Sequence, residues 1–400
     1  MRRRHGLGTA VAMRAAKTAS ALPNVTVDGN RLTLLASGNA RLKEIISLID
    51  GASQSVRMLF YIYSDDPCGV AVRDALVAAA KRGVAVSILL DGFGSSAMKA
   101  EFFETLREAG GDFCIFHPRY GRRYLLRNHQ KLLIADQEAA LIGGANIDRH
   151  YLDDSSKGRW RDLFLRIDGP TVAHLADYFD AIERWTKQKK GRIRSLRRII
   201  HRFSQARGPL QWKFSGPMRR HNPWPVSVVK DILTAERLDI VAAYFAPSWA
   251  MLGRIASVVR RGGTARVVTA AKSDNNATIA AARFTYRKLL RGGVETCEYQ
   301  PAKLHTKLYI ADDVVHIGSA NFDFRSIYLN LEMMLRVDDP TFAAMMRTFV
   351  EGEIADSVHV TREVHERRST PLRRIKWALS YFLVTSMDYT VTRRLNFVVE

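Results

Sequence analysis

The chain reads as an α/β protein built from two copies of one unit. Each copy is a mixed, mostly parallel sheet flanked by helices, and the two pack about a pseudo-twofold axis. Three observations predict this. A His-x-Lys-x4-Asp pattern occurs twice, at His129, Lys131, Asp136 and at His305, Lys307, Asp312. Each is followed by Gly-x-x-Asn, ending at Asn146 and Asn321. The same succession of strand-like and helix-like segments precedes both, at offsets of 176 to 182 residues, as a diverged duplication requires.

Taken in order, residues 1–25 are a basic arm. The apolar part of its Met1-Arg-Arg-Arg start is short and broken by Arg14, which argues against a cleaved signal. Residues 26–186 form the first repeat. Its β-branched and apolar runs predict strands at Ser55–Tyr63, Ala85–Leu90 and Phe113–Phe116, with helical spacing at 70–82 and 97–109. Residues 223–370 repeat the programme, with strands at Leu238–Phe245, Thr264–Ala270 and Val294–Tyr299 and helices at 248–261 and 276–291. Gly110-Gly111 and Gly292-Gly293 supply the helix stops. Strand–helix–strand alternation predicts parallel pairing with helices on both faces. Residues 187–222 form a basic amphipathic segment between the repeats, and residues 371–400 a C-terminal amphipathic segment.

Four hundred residues suffice for two packed cores, and 47% apolar with 25% charged residues is the composition of a globular chain. Cys68, Cys114 and Cys297 have no metal-ligand spacing, which predicts plain thiols in a reduced compartment. No apolar run reaches the length of about 18 residues that signals a membrane span. The net charge of +21 is unevenly placed: residues 184–220 hold thirteen basic and no acidic side chains, residues 1–22 hold five and none, and residues 361–400 carry a net +4. The repeats are close to neutral. Such segments suit an anionic membrane or a nucleic acid, or are solvated tails.

The motifs carry chemistry. Leu132–Ala135 and Leu308–Ala311 read as buried strands, and period-two alternation places His129 with Lys131, and His305 with Lys307, on one face. Imidazole serves as nucleophile or proton carrier near neutral pH, and lysine is a compact charge for a phosphate oxygen. Gly-Gly-Ala-Asn146 and Gly-Ser319-Ala-Asn321 bring backbone and amide donors close to an anion. Asp162 and Glu332 open apolar strands at matching places downstream, 33 and 27 residues after their histidines.

These paired motifs resemble the phospholipase D superfamily, whose two copies meet in one active site. Asp91-Gly-Phe-Gly-Ser95, Trp160-Arg-Asp162 with Asp168-Gly-Pro170, and Ser319-Ala-Asn-Phe-Asp-Phe-Arg-Ser326 with Leu329-Asn-Leu-Glu332 look like the bacterial cardiolipin synthases, over residues 33 to 355. The two N-terminal membrane helices of one subgroup are absent, so the likeness is to the short, peripheral type. The resemblance implies two phospholipase D-like repeats and transfer of a phosphatidyl group from one phosphatidylglycerol to another through a phosphohistidine, without metal, nucleotide or other cofactor. It assigns catalysis to His129, Lys131, Asn146, His305, Lys307 and Asn321, and phosphate binding to both lysines, both asparagines and Ser319. Asp162 and Glu332 orient the histidines, while Asp136 and Asp312 are structural. Gly144 offers no hydroxyl where the superfamily often has serine. Which histidine is the nucleophile stays open.

Leu196, Ile199, Ile200 and Phe203 form a helical stripe among basic residues including Arg194, Arg197 and Arg198. A helix lying in a lipid interface and one docked on the protein core are the competing readings. After Pro371, Arg373, Arg374 and Lys376 precede Trp377, Phe382 and Leu383, a candidate interfacial anchor. The expected place is the cytoplasmic face of the cell membrane, with an anionic surface as partner. A hydrolase releasing phosphatidic acid shares every catalytic residue. Basic segments also fit a phosphodiesterase on nucleic acid, against which the internal duplication argues. A catalytically dead membrane scaffold disagrees with intact His, Lys and Asn in both copies.

Overall fold

The two apolar runs that follow the histidines are buried throughout and lie in the middle of their sheets. In the computed structural model, which describes residues 24–116, 126–188 and 191–386, two eight-stranded sheets carry the fold. The first is made of β1 (Val25–Val27), β2 (Asn30–Leu35), β3 (Ser55–Phe60), β4 (Ala85–Asp91), β5 (Asp112–Phe116), β6 (Leu132–Ala135), β7 (Ala139–Gly143) and β9 (Phe164–Asp168), with β8 (Trp160–Arg161) outside it. The second is made of β10 (Leu210–Ser215), β11 (Arg237–Ala242), β12 (Thr264–Ala270), β13 (Glu295–Tyr299), β15 (Lys307–Ala311), β16 (Val314–Gly318), β17 (Glu332–Asp338) and β18 (Ser357–His359), with β14 (Lys303–Leu304) outside it.

The strand orders are β1-β2-β9-β7-β6-β3-β4-β5 and β10-β17-β16-β15-β11-β12-β13-β18. Superposing β6 on β15 makes seven strands coincide, with β1 and β18 as single additions at opposite edges. The duplication and the mixed sheets are as the sequence predicts, but the balance of pairing is not. Within the two eight-stranded sheets, parallel pairs are confined to β3-β4-β5 and β11-β12-β13, and the other pairs are antiparallel. The cause is local: Asp136 (φ 51°) and Gln137 (φ 60°), and Asp312 (φ 48°), turn the chain straight back after each motif strand, making hairpins rather than crossovers.

One apolar cluster joins the inner faces of both sheets. Leu132, Ile134 and Leu165 from the first and Leu308, Ile310 and Ile317 from the second pack with the helices Thr171–Lys187 and Pro340–Ala355. Separate clusters beneath the helices Gly38–Gly51 and Pro67–Lys81, and beneath Pro223–Thr234, Trp249–Arg260 and Asn276–Arg291, cover the outer faces. Helices therefore line both faces of each sheet. The predicted helix at 97–109 is reduced to the 3-10 turn Ala100–Phe103 and the helix Glu104–Glu108. Its front end is diverted because Ser95 Oγ donates to the Tyr61 carbonyl and accepts from Tyr63 N–H.

The segment 187–222 needs correction. It contains β10, a strand of the second sheet. Its helix Ile193–Phe203 buries Leu196, Ile200 and Phe203 in the central cluster, so the apolar stripe docks on the core rather than on lipid. Arg194, Arg197 and Arg198 stay exposed. Most of the N-terminal arm, together with Lys189, Lys190 and residues 387–400, lies outside the described residues.

Candidate active site

The repeats exchange their strand starts. Leu304, next to His305, pairs in parallel with Arg161, next to Asp162, and Asn128, next to His129, bridges to Leu331, next to Glu332. His305 N–H donates to the Arg161 carbonyl at 2.7 Å and His129 N–H to the Leu331 carbonyl at 2.9 Å. Both histidines lie just ahead of β6 and β15 and are fixed by backbone of the opposite repeat.

The carboxylates follow the same exchange. His129 Nδ1 lies 3.0 Å from both oxygens of Glu332, and His305 Nδ1 lies 2.6 Å from Asp162 Oδ2. Each acid thus meets the histidine of the other repeat, not the one that precedes it in sequence. A carboxylate on Nδ1 holds the hydrogen there and leaves Nε2 with its lone pair. Burial, partly offset by Glu332, lowers the His129 pKa to about 4; burial and Lys307 lower that of His305 to about 3. Both imidazoles are neutral at rest.

Lys131 and Lys307 are buried beside them, and each ammonium donates to the carbonyl of its own motif histidine. Burial pulls their pKa values down to about 7 and about 8. Burial pushes Asp162 and Glu332 the other way. Lys307 and His305 outweigh it for Asp162, and His129 and Lys131 for Glu332, so both carboxyls are held below the ordinary range. Below the pH at which the lysines titrate, two cations, two anions and two neutral imidazoles balance one another's charge before any substrate enters.

Asn146 Oδ1 accepts from Ile62 N–H at 3.2 Å, and Asn321 Oδ1 is buried with no hydrogen-bond partner among the described residues. Ser319 is not the phosphate donor the sequence suggested: its hydroxyl donates to Glu332 Oε2 at 2.6 Å. In the first repeat Gly144 takes that place. A Cβ there would sit 2.5 Å from Asp162 Oδ1, so glycine is what admits the shorter acid. Asp136 accepts from the N–H groups of Ser53, Gln54 and Ser55, and Asp312 from those of Glu236 and Arg237. Both tie a hairpin turn to the strand beside it, away from the histidines.

Several contributors escape sequence reasoning. Ser326 and Asn330 donate to Glu332 Oε1 at 2.9 and 3.2 Å. Arg41 is wholly buried and spans the carbonyls of Tyr151 and Asp162. Tyr61 stands edge-on to His129 at 4.9 Å; Tyr151, Trp160 and Tyr244 surround His305 at 5.1, 5.2 and 6.2 Å. Ser326 and Asn330 flank the acid in the quoted motif, a usable signal. Arg41 sits in an amphipathic helix and gave none.

Among the described residues, only Glu295, Cys297 and His359 bring three ligand atoms close enough to hold a metal. They lie at the β13–β18 edge and include none of the site residues.

The family description "Cardiolipin synthase, PLD-like domain" matches residues 45–183 and 229–352. Cardiolipin synthase A of Pseudomonas aeruginosa is 31% identical over 359 residues, covering 88% of this chain and 71% of that protein. Cardiolipin synthase 1 of Bacillus cereus is 30% identical over 362 residues, covering 86% and 70%. Among solved structures, the phosphatidylserine synthase of Haemophilus influenzae aligns with TM-score 0.69 at 15% identity, over 98% of this chain and 100% of that one. The polyphosphate kinase of Porphyromonas gingivalis aligns with TM-score 0.54 at 13% identity, over 92% and 53%. At these identities the two structures speak for the fold alone.

Proposed function

The chain belongs to the cardiolipin synthase family of phospholipase D-like proteins, and from that premise we propose that it transfers a phosphatidyl group between two phosphatidylglycerol molecules. The products are cardiolipin and glycerol. The observation that carries the reading is the crossed pairing of His129 with Glu332 and His305 with Asp162. It supports two Nε2 lone pairs and two lysines acting on one phosphodiester.

One imidazole, taken here as His129, attacks phosphorus and forms the P–N bond while the P–O bond to glycerol breaks. The other, His305, delivers a proton to the leaving oxygen. Because burial and Lys307 keep His305 neutral at rest, it takes up a proton from solvent as the anionic substrate binds and counters the charge of both lysines. His305, neutral again, takes the proton of the second phosphatidylglycerol's primary hydroxyl as that oxygen attacks the phosphohistidine. One phosphodiester is exchanged for another. Lys131, Lys307, Asn146 and Asn321 are the groups to hold the non-bridging oxygens as charge develops. Ser319 supports Glu332 instead.

No helix among the described residues is long and apolar enough to cross a membrane. We place the protein on the cytoplasmic face of the cell membrane through its C-terminal helix Pro371–Ser386. Trp377 and Leu383, expected in the interface, are buried, whereas Phe382 is exposed together with Leu372, Ile375 and Leu379. Purified protein given labelled phosphatidylglycerol vesicles is expected to yield cardiolipin and free glycerol. Phosphatidic acid as the main product would make it a hydrolase; no turnover of lipid would sink both readings.

A further inference from the structure

The C-terminal helix has two apolar faces. Tyr381 and Val384 pack with Ala246, Ala277 and Ala281, Trp377 stacks on His365, and the Tyr381 hydroxyl donates to the Pro247 carbonyl at 2.7 Å. The opposite face carries Leu372, Ile375, Leu379 and Phe382 at helical spacing, exposed by 81, 67, 46 and 59%. Such a stripe on a charged helix is the form that lies in a lipid interface.

Beside it, the helices Asn276–Arg291, Arg362–Arg368 and Pro371–Ser386 enclose a cleft of about 370 Å³. Its apolar wall is Phe284, Leu290 and Trp377, and its cations are Arg287, Arg291, Arg362 and Arg374 against one carboxylate, Glu366. Arg362 donates to the Leu290 carbonyl and so already serves the helix end there. Among the described residues, Arg287, Arg291 and Arg374 make no ion pair, whereas Arg283 on the same helix is paired with Glu298 at 2.8 Å. Burial first, then Arg374, and Arg287 despite the opposing Glu366, hold the pKa of His365 below its ordinary value. The guanidinium charges therefore converge inside the cleft.

From the three unpaired arginines, the aromatic wall and the exposed stripe beside them, we infer that this cleft is a second anionic-phospholipid site, apart from the catalytic histidines. It seats the headgroup phosphate of a bilayer lipid while the stripe enters the acyl region. Planar guanidiniums suit phosphate, and the buried Trp377 supplies part of the cleft's apolar wall. The inference rests on the reading that the protein works at a lipid surface. Through Tyr381 and Pro247 it ties the bilayer to the segment after β11, which carries Tyr244 against His305.

The test uses the full chain and flotation with vesicles of phosphatidylcholine, with and without phosphatidylglycerol. The double variant Arg287→Gln/Arg374→Gln is expected to lose affinity for the phosphatidylglycerol vesicles on the order of tenfold or more. Its turnover of short-chain, soluble phosphatidylglycerol should equal wild type, a readout that reports on the proposed reaction separately. Unchanged vesicle affinity overturns the site. Inorganic phosphate is the second probe: if wild type binds one phosphate more than the variant while vesicle affinity is the same for both, the ligand is a free anion and the lipid assignment falls. For the stripe, Ile375→Gln/Phe382→Gln should weaken flotation without altering sedimentation. Altered sedimentation with flotation intact would make the stripe a contact between copies and refute the proposal.

Discussion

Nδ1 of His305 lies 2.6 Å from a carboxylate oxygen of Asp162, a residue of the other repeat. Its twin pairing joins His129 to Glu332, so neither repeat contains a complete histidine–acid pair. The active site exists only where the halves meet. This explains why Leu304 pairs with Arg161 and Asn128 bridges to Leu331: backbone pairing across the pseudo-twofold sets the register on which both side-chain contacts depend.

Replacing Asp162 by Asn or Glu332 by Gln keeps the shape but removes the charge that fixes the Nδ1–H tautomer. Steady-state turnover is expected to fall by roughly 10²- to 10⁴-fold, by analogy with the serine-protease triad, with flotation on anionic vesicles unchanged. Wild-type rates in both variants would refute the orienting role. The crossed pairing adds a sharper expectation. In a mixture of His129→Ala/Asp162→Asn chains with His305→Ala/Glu332→Gln chains, activity should not return, because each site draws on both halves of one chain.

Gly144→Ala tests the asymmetry between the repeats. A methyl group there would meet the Asp162 carboxylate at 2.5 to 2.9 Å, with no flexible atom to give way but the catalytic acid itself. The rate should drop by at least about tenfold while thermal stability changes little, and His305→Ala should hide the effect. Wild-type activity in Gly144→Ala would show that Asp162 tolerates displacement.

The duplication was legible because chemistry fixes its residue types at fixed spacing, and because each supporting segment kept its apolar pattern. Strands β4, β12 and β13 and the helices Trp249–Arg260 and Asn276–Arg291 lie within a residue or so of their expected bounds. The pairing balance turns on Ala-Asp-Gln and Ala-Asp-Asp after each motif, which reverse the chain into a hairpin where strand–helix alternation predicts a crossover. Which histidine an acid serves was not legible, since spacing along the chain is silent about exchange across a twofold. The stripe of Leu196, Ile200 and Phe203 fits lipid and core equally by periodicity, and only its burial in the central cluster, with Phe203 against Tyr178, decides.

Arg41→Met should destabilise the protein by about 3 kcal/mol. The guanidinium donates twice to the Tyr151 carbonyl and once to that of Asp162, all out of water; the substitution leaves both acceptors buried and unpaired. Chemical denaturation measures the loss, and turnover should fall with it because Asp162 is held by that contact. A change below about 0.5 kcal/mol would mean that the carbonyls find other donors.

The last expectation concerns pH. His129 and His305 titrate near 4 and 3 in the folded chain against an ordinary value of about 6.5 in the unfolded one. Between about pH 6.5 and 4 the unfolded chain therefore binds protons on these imidazoles that the folded chain refuses. Stability must then fall as pH falls through this window. Asp162 and Glu332, held below their ordinary range, act in the same direction but only at lower pH, where carboxyls titrate. The lysines set the alkaline limb of activity: with Lys131 at about 7 and Lys307 at about 8, the free enzyme loses its phosphate clamp as pH rises past these values, so kcat/KM should decline there. Melting temperature recorded from pH 7 to 4.5 should slope downward in wild type and more gently in His129→Gln/His305→Gln. Parallel slopes in the two proteins would show that the folded imidazoles take up protons as the unfolded ones do, and would remove their lowered pKa values from the mechanism.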